Sequence, residues 1–206
     1  MLRMLRRAAP IGLLMAMFLN GTASAATINV SIVNFDFTPD PVSANLGDQI
    51  TWTNTATATP HTTTSDTMNP DGSVGVGLWN SGTLNQGQTF SRKMVAGTFP
   101  YHCAIHPTTM KGMIQVSPKI APVNEHIGTT FTLTFAPIDT GPKGFVFDVQ
   151  KMDPGGQFQD YMTDVGTKSV TFVPSATGTY QFQVRIQRVS NGGVSFYSPP
   201  VSINVT

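Results

Sequence analysis

The chain has 206 residues, 12 Lys+Arg and 11 Asp+Glu, a formal net charge of +1, and only 11% charged residues, against the roughly 25% of an ordinary soluble domain. That balance excludes a nucleic-acid binder driven by phosphate neutralisation and disfavours coiled coils and helical bundles. The single Cys excludes an intrachain disulfide framework and any CxxC zinc or redox site.

Residues 1–25 read as an export signal. Arg3, Arg6 and Arg7 form a basic start, Ala8 to Leu19 is apolar but too short to span a bilayer, and Ala23-Ser24-Ala25 supplies small residues for cleavage before Ala26. Removing the three arginines leaves 9 basic against 11 acidic residues, a net charge of −2. No later apolar run is long enough to span a membrane, so the expectation is a periplasmic or secreted protein.

Residues 26–117 read as a first β module. Ile28, Val30 and Ile32 alternate with polar residues; Ile50, Trp52 and Asn54 share one face of a further strand, as do Phe99, Tyr101 and Cys103. Ile114 and Val116 close the module. Turn clusters such as Thr38-Pro39-Asp40-Pro41 and Leu46-Gly47-Asp48 separate these strands. Ser65 to Gln88, rich in Gly, Asn and Asp, reads as a long surface loop. After a joint near Pro118, residues 119–206 repeat the alternation in Phe131/Leu133/Phe135, Phe145/Phe147/Val149, Tyr180/Phe182/Val184/Ile186 and Val201/Ile203/Val205. Strands so spaced, with no helical period, predict an all-β chain of two sandwiches or barrels. The second module resembles an immunoglobulin-like or fibronectin type III sandwich, a resemblance of pattern that implies a fold and no activity.

The chemistry is concentrated in Tyr101 to Ile114, where Cys103, His106, Met110 and Met113 crowd one strand-to-strand turn; His61 lies upstream, after Pro60. A lone Cys is ordinarily an inert buried hydrophobe. Spaced His and Met residues beside it change that expectation. Soft sulfur with two imidazoles and a weak thioether is a donor set for copper, whereas zinc favours four strong donors. His102 alternates out of phase with Cys103 and is expected to face away from the metal, toward solvent. His126, in the second module with no partner nearby, reads as a surface residue.

Phe35-x-Phe37-x-Pro39, Gly47-Asp48-x-Ile50-x-Trp52-x-Asn54, Pro60-His61 and Gly97-Thr98-Phe99-x-Tyr101-x-Cys103-x-x-His106, with Met110-x-Gly112-x-Ile114, resemble the cupredoxin family, its plastocyanin and amicyanin branch in particular. The resemblance implies a Greek-key β-sandwich with one type 1 (blue) copper ion, His61, Cys103 and His106 in the trigonal plane and Met110 axial. The x3 spacing from His106 to Met110 departs from the better-known branches and keeps Met113 as the alternative. Thr62 follows His61 where plastocyanin-like proteins often carry Asn; its hydroxyl or its N–H is the candidate donor to the Cys sulfur.

The implied function is single-electron transfer between redox partner proteins outside the cytoplasm, without enzymatic activity. Four protein donors leave no open position for substrate. The imidazole edge of His106 is the expected exit for the electron. A multicopper oxidase or reductase would need about eight histidines for a trinuclear cluster, and the chain has 4. A dinuclear copper site needs a second Cys. A copper-delivery or adhesion module is the other class, distinguished by lacking the blue charge-transfer band.

Overall fold

The computed structural model describes residues 25–68, 74–140 and 144–206. The expected export signal, residues 1–25, lies outside the described residues except for Ala25. Among the described residues no helix is long and apolar enough to cross a membrane.

Among the described residues nine strands precede Pro118: β1 (Thr27–Val33), β2 (Asp36–Thr38), β3 (Val42–Ala44), β4 (Gln49–Asn54), β5 (Thr64–Met68), β6 (Val74–Asn80), β7 (Thr89–Lys93), β8 (Gly97–His102) and β9 (Lys111–Val116). They build two sheets, ordered β2-β1-β4-β7 and β3-β9-β8-β5-β6. The alternation in the sequence becomes the interior. Val30, Ile32, Ile50 and Trp52 of the first sheet and Phe99, Tyr101, Cys103 and Ile114 of the second are all essentially inaccessible. β1 and β4 run parallel, Val30 opposite Trp52, so the chain must cross to the other sheet between them, and β3 lies there. Trp52 touches the rings of Trp79, Phe90 and Tyr101 at centroid distances of 5.6, 5.8 and 5.6 Å. This aromatic layer lies beneath the strand that carries Cys103.

The segment from Ser65 to Gln88, expected to be a loop, is instead largely a hairpin: β5 pairs with β6, Thr67 opposite Gly75 and Asp66 opposite Val76. Its composition reflects close approach rather than lack of structure. A Cβ at Gly77 would land on the Ser65 backbone, so only glycine lets β6 cross β5 there.

Among the described residues eight strands follow: β10 (Lys119–Ala121), β11 (Asn124–Glu125), β12 (Phe131–Thr134), β13 (Phe145–Met152), β14 (Phe158–Val165), β15 (Ser169–Phe172), β16 (Gly178–Arg188) and β17 (Val201–Val205). They form a β10-β12-β15 sheet and a β11-β17-β16-β13-β14 sheet. Phe131, Leu133, Phe147, Val149, Phe182 and Val184 fill the space between them. Near the start of β16 the Tyr180 hydroxyl donates to the Ala176 carbonyl at 3.0 Å, tying the preceding loop to the strand as a tyrosine corner does.

The two halves are joined by more than the Pro118 connection. Ala96 N–H donates to Phe135 O at 2.9 Å, and Thr98 and Phe196 exchange two backbone hydrogen bonds of 3.1 Å. Arg92 Nη1 and Arg188 Nη2 converge on the Leu78 carbonyl at 3.2 and 3.1 Å. The buried apolar side chains of both halves make one contiguous cluster.

Candidate metal centre

β8 ends at His102, and the chain turns back into β9 through a compact loop closed by its own backbone. Cys103 N–H donates to Met110 O at 3.0 Å, His106 N–H to Cys103 O at 3.0 Å, and Met110 N–H to His106 O at 3.1 Å. These three bonds hold Cys103, His106 and Met110 at fixed separations. The fourth residue arrives from the other side. Asn54, at the end of β4, donates from Nδ2 to Thr59 O at 2.9 Å and to Leu84 O at 2.8 Å, and its Oδ1 accepts the Ala56 N–H. That side chain shapes the loop leading to His61. His61 is then locked by a two-way bridge with Leu84, at 3.1 and 2.7 Å.

The result brings the sulfur and both imidazoles together. Cys103 Sγ lies 3.7 Å from His61 Nδ1 and 3.6 Å from His106 Nδ1, and the three candidate ligand atoms all lie within 4.8 Å of one another. His61 and Cys103 are fully buried and His106 partly exposed. Met110 is buried, whereas Met113, on β9 opposite Pro100, is 37% exposed. Burial, and then the neighbouring His106, push the pKa of His61 below its ordinary value. The neutral imidazole that a metal requires is therefore the favoured form.

Thr62 does two jobs. Its backbone N–H points at Cys103 Sγ at 3.3 Å, and its hydroxyl accepts the Ala104 N–H at 2.7 Å. The sulfur thus receives the main-chain donor, and the side chain holds the other flank of the cysteine. A buried thiol facing two Nδ1 atoms and a backbone N–H, with a buried methionine at the end of the same loop, suits a soft ion with thiolate and imidazole ligands. These residues fit copper.

His102 turns away from the sulfur, as its strand phase requires, but it does not simply enter solvent. Its Nδ1 lies 2.7 Å from Asp66 Oδ1, with the side chain about a quarter exposed. His126 stands far out on the second module, its side chain 75% exposed beside Glu125. Phe35 was not singled out as a site residue by its sequence. It occupies the two-residue turn between β1 and β2 with φ +68° (Asn34 has +46°), and its ring meets His106 edge-on at 4.7 Å and His61 at 5.7 Å. A turn of two left-handed residues matches the twist of the flanking strands, but a phenylalanine there is uncommon, and propensity gives no hint of it.

A buried cysteine between two histidines, at one end of a two-sheet sandwich, defines the class: a cupredoxin domain. Residues 24–117 match the model for copper binding proteins of the plastocyanin/azurin family. No curated protein matches the chain. Among solved structures, a reduced amicyanin variant is similar at 27% identity, over 44% of this chain and 81% of its own, with a TM-score of 0.35. An oxidised amicyanin variant is similar at 28% identity, over 43% and 80%, also at 0.35. The chicken interferon gamma receptor alpha chain is similar at 12% identity, over 85% of this chain and 95% of its own, with a TM-score of 0.33.

Proposed function

We propose that this protein carries single electrons between redox partner proteins outside the cytoplasm. In this reading residues 1–25 are an export signal, residues 26–117 hold one copper ion, and residues 119–206 form an immunoglobulin-like module. His61, Cys103 and His106 would be the ion's three strong ligands and Met110 its weak thioether ligand. The observation that carries the reading is the convergence of Cys103 Sγ with the two histidine Nδ1 atoms, at 3.6 and 3.7 Å, in a mostly buried site.

Bound copper supplies a reversible one-electron couple. The chain's part is to hold its donors still. Cys103 binds as thiolate, and the Thr62 N–H shares its charge. His61 is kept neutral and is fixed by its backbone bridge to Leu84, whose carbonyl also accepts the Asn54 amide. His106 is the ligand that reaches the surface, and its exposed edge is the natural way in and out for an electron. Because both loops are closed by backbone hydrogen bonds anchored in β4, β8 and β9, little rearrangement accompanies a change of charge. A rigid site with four protein donors suits electron transfer better than catalysis on a bound substrate.

The test is a visible spectrum and a metal count on the exported, copper-loaded protein. One copper per chain and an intense blue thiolate-to-copper band are expected. The Cys103→Ser variant should lose the band and keep its β-sheet circular dichroism. Copper bound without that band would favour storage or delivery over electron transfer.

A further inference from the structure

Away from the metal centre, Asp48 is a carboxylate only 3% exposed, in the turn before β4. Its Oδ2 accepts the Asn45 N–H at 2.9 Å and its Oδ1 accepts the Ala26 N–H at 2.8 Å. Among the described residues no lysine or arginine forms an ion pair with it. A buried carboxylate without a cation in contact is costly unless its hydrogen bonds are strong. One of its backbone donors is the nitrogen that follows the small-residue sequence Ala23-Ser24-Ala25.

In the uncut chain this nitrogen is a secondary amide with one hydrogen. Hydrolysis of the Ala25–Ala26 bond adds water across it: the hydroxyl goes to the Ala25 carbonyl carbon, and the same nitrogen leaves as a primary amine. At neutral pH it takes a further proton and becomes an ammonium with three donors. It cannot drift away, because Ala26 O accepts the Gln49 N–H at 2.8 Å and Thr27 is already in register with Gln49. Ala25 and Ala26 are both exposed, so the bond is open to a peptidase while the receiving carboxylate is not open to water.

We propose that Asp48 is the receptor for the α-ammonium group that processing creates at Ala26, so that cleavage itself completes an ion pair and clamps the start of β1. The inference rests on the reading of residues 1–25 as a cleaved signal. The existing bond already has an ionised acceptor, and an ionised donor adds a direct charge–charge attraction to it in a site with little water. The pair also acts on the strand that ends in the Asn34-Phe35 turn over the histidines.

The experiment begins with the chain expressed with its leader and recovered after export, whose first residue is read by N-terminal sequencing. The mature protein is then compared with the same protein Nα-acetylated at Ala26, which keeps the N–H but removes the charge, in Asp48 and Asp48→Asn backgrounds. Acetylation is expected to lower Tm by about 3–6 °C with Asp48 present and by less than about 1 °C with Asn. If Asp48→Asn does not fold, the rate of α-amine acylation at neutral pH replaces it, and about tenfold slowing against an alanine-initiated peptide is expected. Equal Tm losses in both backgrounds, or an unslowed amine, overturn the inference directly. An exported chain beginning elsewhere overturns it through its premise, so the two failures are told apart.

Discussion

Met110 and Met113 are three residues apart and face opposite ways, one inaccessible at the end of the ligand loop and the other half in solvent on β9. If Met110 is the axial donor, Met110→Leu preserves volume and should cost less than about 1.5 kcal/mol of stability. It should raise the reduction potential, because the thioether supports the oxidised ion more than the reduced one; Met113→Leu should leave the potential unchanged in the same voltammetric measurement. Asp48 titrates in a different regime. Burial raises its pKa, but the backbone N–H bonds from Ala26 and Asn45, the Asn45 side chain and the charge of Lys119 together hold it below the ordinary 3.8. With a folded pKa below the unfolded one, its contribution is present in full above the unfolded value and is lost as pH falls through the folded one. Denaturation curves should therefore show wild type losing its advantage over Asp48→Asn below about pH 4. The sequence drew attention to Cys103, His106 and Met110 because one loop carries all three, and to His61 only through the Pro60-His61 pair taken with that loop; the fold brings His61 to the same sulfur as His106. It drew none to Phe35 as a site residue, since its place over the histidines depends on a left-handed backbone that side-chain chemistry does not announce.

At the scale of elements, the strands with alternating large apolar residues were readable, and the one pairing built from small residues was not. β5 carries Thr, Ser and Asp, and β6 sets Val against Gly where other strands set Ile, Trp or Phe against Thr and Ser, so the hydrophobic period there is faint. What fixes the hairpin is contact, with Ser65 Oγ accepting the Trp79 N–H at 3.0 Å and Thr63 Oγ1 accepting the Trp79 indole N–H at 3.1 Å. Gly112 shows the same economy of space beside the metal loop. It pairs with Tyr101 across β8 and β9, and a Cβ there would stand 2.5 Å from the phenol ring. Gly112→Ala must push that ring into the Trp52 and Phe37 rings it touches. The expected loss, read by thermal or chemical denaturation, is about 1–3 kcal/mol. The blue band should broaden as well, because Met110 enters the loop two residues earlier.

For the whole molecule, the two halves share one apolar cluster and should unfold as one cooperative unit. Calorimetry is expected to show a single transition. Arg188→Ala, which frees one of the two guanidinium groups on the Leu78 carbonyl, should lower its midpoint by about 2–4 °C. The alternation of both halves was visible in the sequence, but their contact was not, since single backbone bridges such as Thr98 to Phe196 leave no pattern along a chain. That bridge carries a consequence. β5 accompanies β8 only at Ser65 and Thr64, opposite Tyr101 and His102, so nearer its start β8 has one flank without a neighbouring strand. Phe196 occupies that flank, bonding Thr98 on the side away from β9. Removed from its companion, the copper-binding half would leave the Thr98 N–H and C=O unpaired, a short open edge before Pro100, which has no N–H to offer. In the intact chain the Phe196 backbone fills that place.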